Sequence, residues 1–326
     1  PSHSPRILLW TPWFGLWVFG LDSPKTGEVI LPRCAHRCFL TNDRSLLDHS
    51  DAVVFHVRDW GVEDVPPART STQKWVWWTM ESPDHTKSYG YRWPENMFNW
   101  TMSYRRDSDV LTPYGETVKK SNIAAKRDHV ALWRLKTRVA IWLVSRCNTP
   151  SGRENYTEEL RKHVQVDIYG DCGDHQCSKE NYTACYREFE RKYFFILAFE
   201  NSICRDYVTE KFFRALDFDL VPVVFGGANY SQIAPPGSYI DALSFRSPRD
   251  LAEYLQKVAR NATLYASFFE WKRRFVIQLS TVYDMCPLCA KLHSEDFKKR
   301  TSYFDIREWW ESGGRCRRLK AWGGYK

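Results

Sequence analysis

The chain has 326 residues, enough for two domains or one large domain with an ample core. Its formal charge of +8 suits an anionic small ligand or an acidic surface, and the lack of any long basic run argues against nucleic acid. Ten cysteines, with N-x-S/T sequons at five of the ten asparagines (Asn99, Asn155, Asn181, Asn229 and Asn261), argue against a cytosolic enzyme and for a disulfide-forming secretory compartment.

Residues 7–10 (ILLW) read as a first strand and 11–20 as an aromatic loop, broken by Pro12 and Gly15 and too short to span a membrane. Residues 52–57 (AVVFHV) read as a strand, and 61–73, with Pro66 and Pro67, as a loop. Residues 74–80 (KWVWWTM) form a strand that ends at Glu81-Ser82-Pro83, and 100–104 form another. This gives a first α/β domain through residue 138. Residues 139–144 (strand), 154–163 (helix) and 166–169 (strand) open a second, followed by a loop at 171–185 dense in Cys and Gly.

The apolar runs 194–199 and 220–225 are buried strands. Between them Thr209 caps a helix whose apolar face is Phe212, Phe213, Leu216 and Leu220. Such a βαβ unit requires a parallel sheet and a right-handed crossover. Glu200, Asn201, Ser202, Tyr207, Glu210 and Lys211 fall outside the carboxyl end of the first strand, where ligands bind in such units. Lys211 opposes the helix dipole unless an anion shares the site, and a diphosphate would supply one. Two helices (250–260 and 265–274) and a terminal helix at 307–310 complete the chain, which has no internal repeat.

Glu81 ends an apolar strand among aromatic walls, where burial raises a carboxylate toward general-base range; its alternative role is to cap the next turn. Asp107-Ser108-Asp109 is a D-x-D, a metal-diphosphate pattern in another fold, but Arg105 and Arg106 stand ready to pair with it. Cys34, Cys38, Cys286 and Cys289 are either four zinc ligands or disulfide partners, and the sequon density favours disulfides.

The pattern F-x-L-x-F-E-N-S-x-x-x-D-Y-x-T-E-K, then V-P-V-V, resembles the signature of the α-1,3-fucosyltransferases; the likeness runs from about Ile7 to His293. Arg214 stands where that family usually has Asn, at a helix–neighbour contact. The resemblance implies a GT-B type α/β fold, two Rossmann-like domains facing each other across a cleft. Residues 1–138 would hold the acceptor, 139–294 would hold GDP-fucose, and 295–326 would return to the first domain.

By the same resemblance Glu81, in E-S-P, is the catalytic base. Ser145 and Arg153, in S-x-x-N-x-x-x-x-R, join Asn201, Tyr207, Glu210 and Lys211 on the donor. His56 and Arg58, in the H-V-R-D segment that resembles the family's acceptor-reading H-H-R-D, join Trp78 and Tyr104 on the acceptor. Cys34 and Cys38 pair with Cys286 and Cys289. The family implies an inverting transfer to the 3-hydroxyl of GlcNAc, no essential cofactor (Mn²⁺ a stimulant at most), and a Golgi-lumenal enzyme whose single N-terminal anchor precedes the present chain. Segment 170–185 and the ending C-A-K-L-H resemble the enzymes that act on the innermost GlcNAc of N-glycans. A Lewis-type enzyme acting on N-acetyllactosamine is the alternative, and a non-catalytic glycan-binding protein on this scaffold is the reading outside enzymes.

Overall fold

A computed structural model describes residues 4–18, 21, 27–61, 63–86, 93–125, 127–178, 181–281 and 284–319. The chain divides into two compact units, with changeovers at 113/114, 279/280 and 315/316. The first changeover precedes the boundary expected at residue 138, because the polar strand 115–119 pairs with 275–279 of the second unit, a partner some 160 residues away that local pattern cannot reveal.

In the first unit, β1 (Arg6–Leu9), β2 (Glu28–Ile30), β3 (Phe39–Thr41), β4 (Ala52–His56), β5 (Lys74–Trp78), β6 (Trp100–Ser103) and β7 (Val110–Leu111) form one sheet, with α1 (Pro83–Thr86) between β5 and β6. The order is β2-β3-β1-β4-β5-β6-β7, parallel throughout except β2–β3. A parallel sheet is covered on both faces, which is why β4 and β5 are buried at every position. The helix Cys286–Leu292 seals one face, placing Leu288, Cys289 and Leu292 among Ile7, Leu40, Val54 and Val76. Cys34–Cys286 and Cys38–Cys289 pin it there, so the four candidate zinc ligands are spent in disulfides. Closing a loop of this length stabilises the fold by ~5 kcal/mol in the chain-entropy model; the second bond adds less because the first has already joined the ends.

Trp310, fully buried, lies on Trp77 with ring centroids 4.7 Å apart and donates its indole N–H to Thr86 Oγ1 at 2.7 Å. Residues 280–315 thus belong with the first unit, but the chain then leaves it: Cys316 bonds Cys204, and the Arg317 N–H donates to the Ile203 carbonyl at 2.8 Å, both in the second unit. The expected return of 295–326 therefore ends at residue 315, and 320–326 lie outside the described residues.

The second unit contains β8 (Gly115–Lys119), α2 (His129–Leu135), β9 (Arg138–Leu143), α3 (Arg153–Arg161), β10 (Val166–Tyr169), α4 (Tyr182–Lys192), β11 (Tyr193–Phe199), α5 (Glu210–Asp217), β12 (Val221–Phe225), β13 (Ile240–Asp241), α6 (Pro248–Ala259), α7 (Ala262–Ser267) and β14 (Phe275–Leu279). Its main sheet is parallel, in the order β10-β9-β11-β12-β13. Phe195, Leu197 and Phe199 of β11 pack on one face with Leu251, Leu255 and Tyr265, while Ile196 packs on the other with Tyr186, Phe189 and Ala215. The helix expected over 265–274 is broken into α7 and a 3₁₀ turn, Glu270–Arg273.

Candidate active site

The strand order of the second unit reverses at β9, between β10 and β11. In an open parallel sheet, ligands bind outside the carboxyl ends at such a switch point. A cavity of about 760 Å³ lies there. Ser145 and Arg146 reach it from the end of β9, Gly170 and Asp171 from β10, Asn201 from β11, and Glu210 and Lys211 from the first turn of α5. Gly170 has φ +94°, and a Cβ there would meet the Val144 carbonyl oxygen at 2.5 Å, so only glycine lets the two loops approach. Cys147–Cys172 ties the same loops covalently.

The anion that offsets Lys211 is part of the protein. Glu200, fully buried, accepts from the Thr209 N–H at 2.8 Å, from Thr209 Oγ1 and from Lys211 Nζ at 3.2 Å. Thr209 stands at the N-cap of α5 but makes no side-chain cap; its hydroxyl serves Glu200 and accepts from Lys211 at 2.7 Å. Burial alone would push the Lys211 ammonium down, yet Glu200 and Glu210 outweigh it and raise the pKa. Lys211 is therefore cationic, 27% exposed, and its longest contact, 3.4 Å to Glu210, is the readiest to be exchanged for a ligand oxygen. The sequence places Glu200 at the ligand end of β11, directly after a fully apolar strand, but does not show it as the partner of Lys211.

Arg153, expected as an open fork, is buried at the start of α3. It donates to the Phe199 carbonyl at 2.7 Å, the Arg146 carbonyl at 2.9 Å and Glu154 at 3.3 Å. With three of its five donors so used, it braces the ends of β9 and β11 as much as it faces the cavity. Burial lowers its pKa, though not enough to discharge a guanidinium. Asn201 lines the cavity with a buried Oδ1 that meets no donor among the described residues. Tyr207 is buried and not among the residues lining the cavity.

The first unit obeys the same switch-point rule at β1, between β3 and β4. Thr11, Trp13 and Phe14 follow β1; Arg58 and Asp59 follow β4; Glu81 follows β5. Trp13 stacks on Trp78 at 4.4 Å and meets the His56 ring, tilted by 39°, at 4.2 Å, and Arg58 lies over Phe14 at 4.8 Å. Asp59 accepts from the Phe14 and Gly15 N–H groups at 2.7 and 2.9 Å, holding both in left-handed conformation and leaving Phe14 39% exposed. His56, Trp78 and Tyr104, expected as acceptor contacts, are all buried: His56 and Trp78 lie against Trp13, while Tyr104 packs on Trp310 at 5.7 Å; Trp13 and Phe14, read only as aromatic loop, are the more accessible rings here. Glu81 is half-exposed. Its N–H donates to Thr79 Oγ1 at 3.2 Å, and its carboxylate makes no hydrogen bond or ion pair with the described residues, so it is not spent on capping α1.

His56 Nδ1 lies 2.5 Å from Asp59. Burial lowers the His56 pKa against the opposing pull of Asp59, so the imidazole is neutral at pH 7. A histidine buried neutral binds its proton more readily unfolded. Stability is therefore lost as pH falls through the ordinary value of 6.5, and the loss levels off below the lowered folded value. Asp59, held low mainly by the His56 hydrogen bond against burial, acts only below 3.8. Melting temperature is expected to fall between about pH 7 and 5, and His56→Asn, which keeps a donor for Asp59, is expected to flatten that fall. An unchanged slope in the variant would exclude His56 as its source.

Residues 2–115 match the fucosyltransferase N-terminal family model, and residues 133–309 match that of glycosyltransferase family 10 (fucosyltransferase), C-terminal. The chain is 38% identical to alpha-(1,3)-fucosyltransferase C of Drosophila melanogaster, covering 95% of this chain and 78% of that protein. It is 37% identical to human 4-galactosyl-N-acetylglucosaminide 3-alpha-L-fucosyltransferase FUT6, covering 90% and 81%. The chain belongs to glycosyltransferase family 10, as an α-1,3-fucosyltransferase. A crystal structure of an alpha1,3-fucosyltransferase with GDP-fucose is similar in fold, with TM-score 0.52 at 16% identity over 94% of this chain and 88% of that one. Two Rossmann-like units of GT-B type agree with that likeness.

In this fucosyltransferase both D-x-D carboxylates are engaged. Asp107 pairs with Arg105 at 2.6 Å, and Asp109 accepts from the Thr101 N–H at 2.9 Å and from Tyr303 at 2.8 Å. Four sequon asparagines, Asn155, Asn181, Asn229 and Asn261, are exposed. Asn99 instead accepts from the Trp75 N–H at 2.8 Å and donates to the Thr301 carbonyl at 2.6 Å, a use of its carboxamide that a glycan would disturb. Among the described residues no helix is long and apolar enough to cross a membrane.

Proposed function

We propose that the enzyme moves L-fucose from GDP-β-L-fucose to the 3-hydroxyl of GlcNAc with inversion, and that its acceptor is the innermost GlcNAc of N-glycans. What carries the donor assignment is the cavity at the β9/β11 switch point, with the cationic Lys211 on the first turn of α5. Lys211 and the α5 N–H groups stabilise the negative charge that develops on the departing GDP; Arg153 supports them, and Ser145 adds a hydroxyl. Glu210 accepts from ribose hydroxyls, and the unpaired Asn201 oxygen takes a donor from the nucleotide sugar.

The acceptor 3-oxygen attacks the anomeric carbon as the bond to the β-phosphate breaks, and the electron pair leaves on GDP. Glu81, whose carboxylate no described residue occupies, takes the proton from the 3-hydroxyl. Because GDP leaves as a stable anion, no second acid and no metal is required, and Mn²⁺ at most stimulates. Phe14, Trp13 and Arg58 offer a sugar face the apolar and cationic surface it stacks on. The five disulfides and exposed sequons support an oxidising, secretory compartment, and the likeness to the family makes the Golgi lumen the compartment we propose.

The innermost-GlcNAc assignment rests on the likeness of segment 170–185 and of the C-A-K-L-H ending. It is tested by offering a trimmed N-glycan and N-acetyllactosamine side by side, with and without chelator. Transfer to the N-glycan, faster by about tenfold or more and undiminished in chelator, is expected; about tenfold corresponds to 1.4 kcal/mol of discrimination. Preference for N-acetyllactosamine would make the enzyme Lewis-type, activity lost in chelator and restored by Mn²⁺ would make a metal essential, and no transfer to either would favour a glycan-binding protein.

A further inference from the structure

Arg214 lies on α5 one turn, ~5 Å, beyond Glu210 and on the same face, and it lines the same cavity. Its guanidinium carbon sits 4.1 Å from the centroid of the Tyr182 ring, and Tyr182 meets Tyr186 edge-on at 6.3 Å. All three line one end of the cavity, reached from α4 and α5. Arg153 and Lys211 are held by hydrogen bonds to protein acceptors, whereas Arg214 acts on Glu210 only through its charge and makes no hydrogen bond or close ion pair with a described residue. A half-buried guanidinium set over an aromatic ring, with no hydrogen bond to a described residue, is an unfilled recognition element.

A guanidinium set over a ring keeps its N–H fork for other partners, and that fork matches two adjacent acceptors in one plane. With the diphosphate at Lys211 and the ribose at Glu210, the part of a nucleoside diphosphate that remains is the base. Guanine presents O6 and N7 side by side, whereas adenine places an amino donor where guanine has O6. We propose that Arg214 reads the O6/N7 edge of the guanine and so selects GDP over ADP. The proposal rests on the assignment of this cavity as the GDP-fucose site and adds the residue that identifies the base.

Affinities of the full chain for GDP, IDP, ADP, 7-deaza-GDP and inorganic pyrophosphate, measured by calorimetry on the wild type, Arg214→Ala and Arg214→Lys, test it. The wild type is expected to bind IDP nearly as well as GDP, because both keep O6 and N7. It is expected to bind ADP and 7-deaza-GDP more weakly, within the range of about 5- to 150-fold that a bidentate pair supports. Both variants are expected to weaken GDP while leaving ADP and pyrophosphate unchanged, so that the preference collapses; lysine keeps the charge but not the fork. Equal weakening of GDP, ADP and pyrophosphate would place Arg214 on the phosphates and overturn the proposal, as would an unaltered GDP-to-ADP ratio. A wild type that binds no GDP would instead overturn the donor-site assignment itself.

Discussion

Glu81→Gln is expected to lower kcat for fucose transfer by about 10³-fold while leaving GDP affinity within about twofold, because general-base catalysis contributes roughly 10²–10⁴-fold. Glutamine keeps the shape of glutamate but cannot take a proton from a sugar hydroxyl at neutral pH. The substitution is also expected to leave the fold intact. The Glu81 carboxylate bonds no described residue, and the turn it stands on is held by the Glu81 N–H and Thr79. Stability is therefore expected to change by less than about 0.5 kcal/mol, as for a surface position. Transfer rates, GDP titration and a melting curve on the same preparation separate the possibilities. Wild-type kcat in the variant would remove Glu81 from the chemistry, and loss of GDP binding along with activity would move it to the donor.

Lys211→Ala is expected to act twice. It removes a cation from the departing diphosphate, lowering kcat/KM by about 10²–10³-fold, the loss typical when one charge-stabilising donor is deleted. It also leaves Glu200 buried without its cation, which costs about 3 kcal/mol, the low end for a broken buried pair because Thr209 still bonds the carboxylate and Lys211 is 27% exposed. A double-mutant cycle distinguishes the two effects. Glu200→Gln in the Lys211→Ala background neutralises the stranded carboxylate, so melting temperature is expected to recover while transfer does not. Recovery of both would mean that Lys211 only holds Glu200 in place.

Where side-chain patterning is local, the fold could be read from the sequence. The β11–α5–β12 unit announces itself because both strands are buried at every position, and α5 places Phe212, Phe213 and Leu216 on one face. The disulfides between Cys34 or Cys38 and the Cys286–Cys289 pair came from family likeness, and only the structure orders them. The β8–β14 ribbon could not be read, since β8 is polar, the apolar β14 is buried only at Ile277, and the two lie far apart in sequence. Helix α4 was hidden in a Cys-rich segment because only Tyr186 and Phe189 of its residues are buried.

The residue types at the site were likewise legible, while their partners were not. Nothing local says that Arg153 spends its fork on the Phe199 and Arg146 carbonyls, or that His56 is buried against Trp13 from the end of β1. These outcomes depend on which strand ends become neighbours, and strand order is a property of the whole sheet.

The most direct test of the donor site is a crystal structure of the enzyme with GDP bound. The diphosphate is expected beside Lys211 Nζ and the first N–H groups of α5, within hydrogen-bond distance, with Lys211 released from Glu210. A nucleotide seated anywhere else, with the cavity at the ends of β9 and β11 empty, would contradict it.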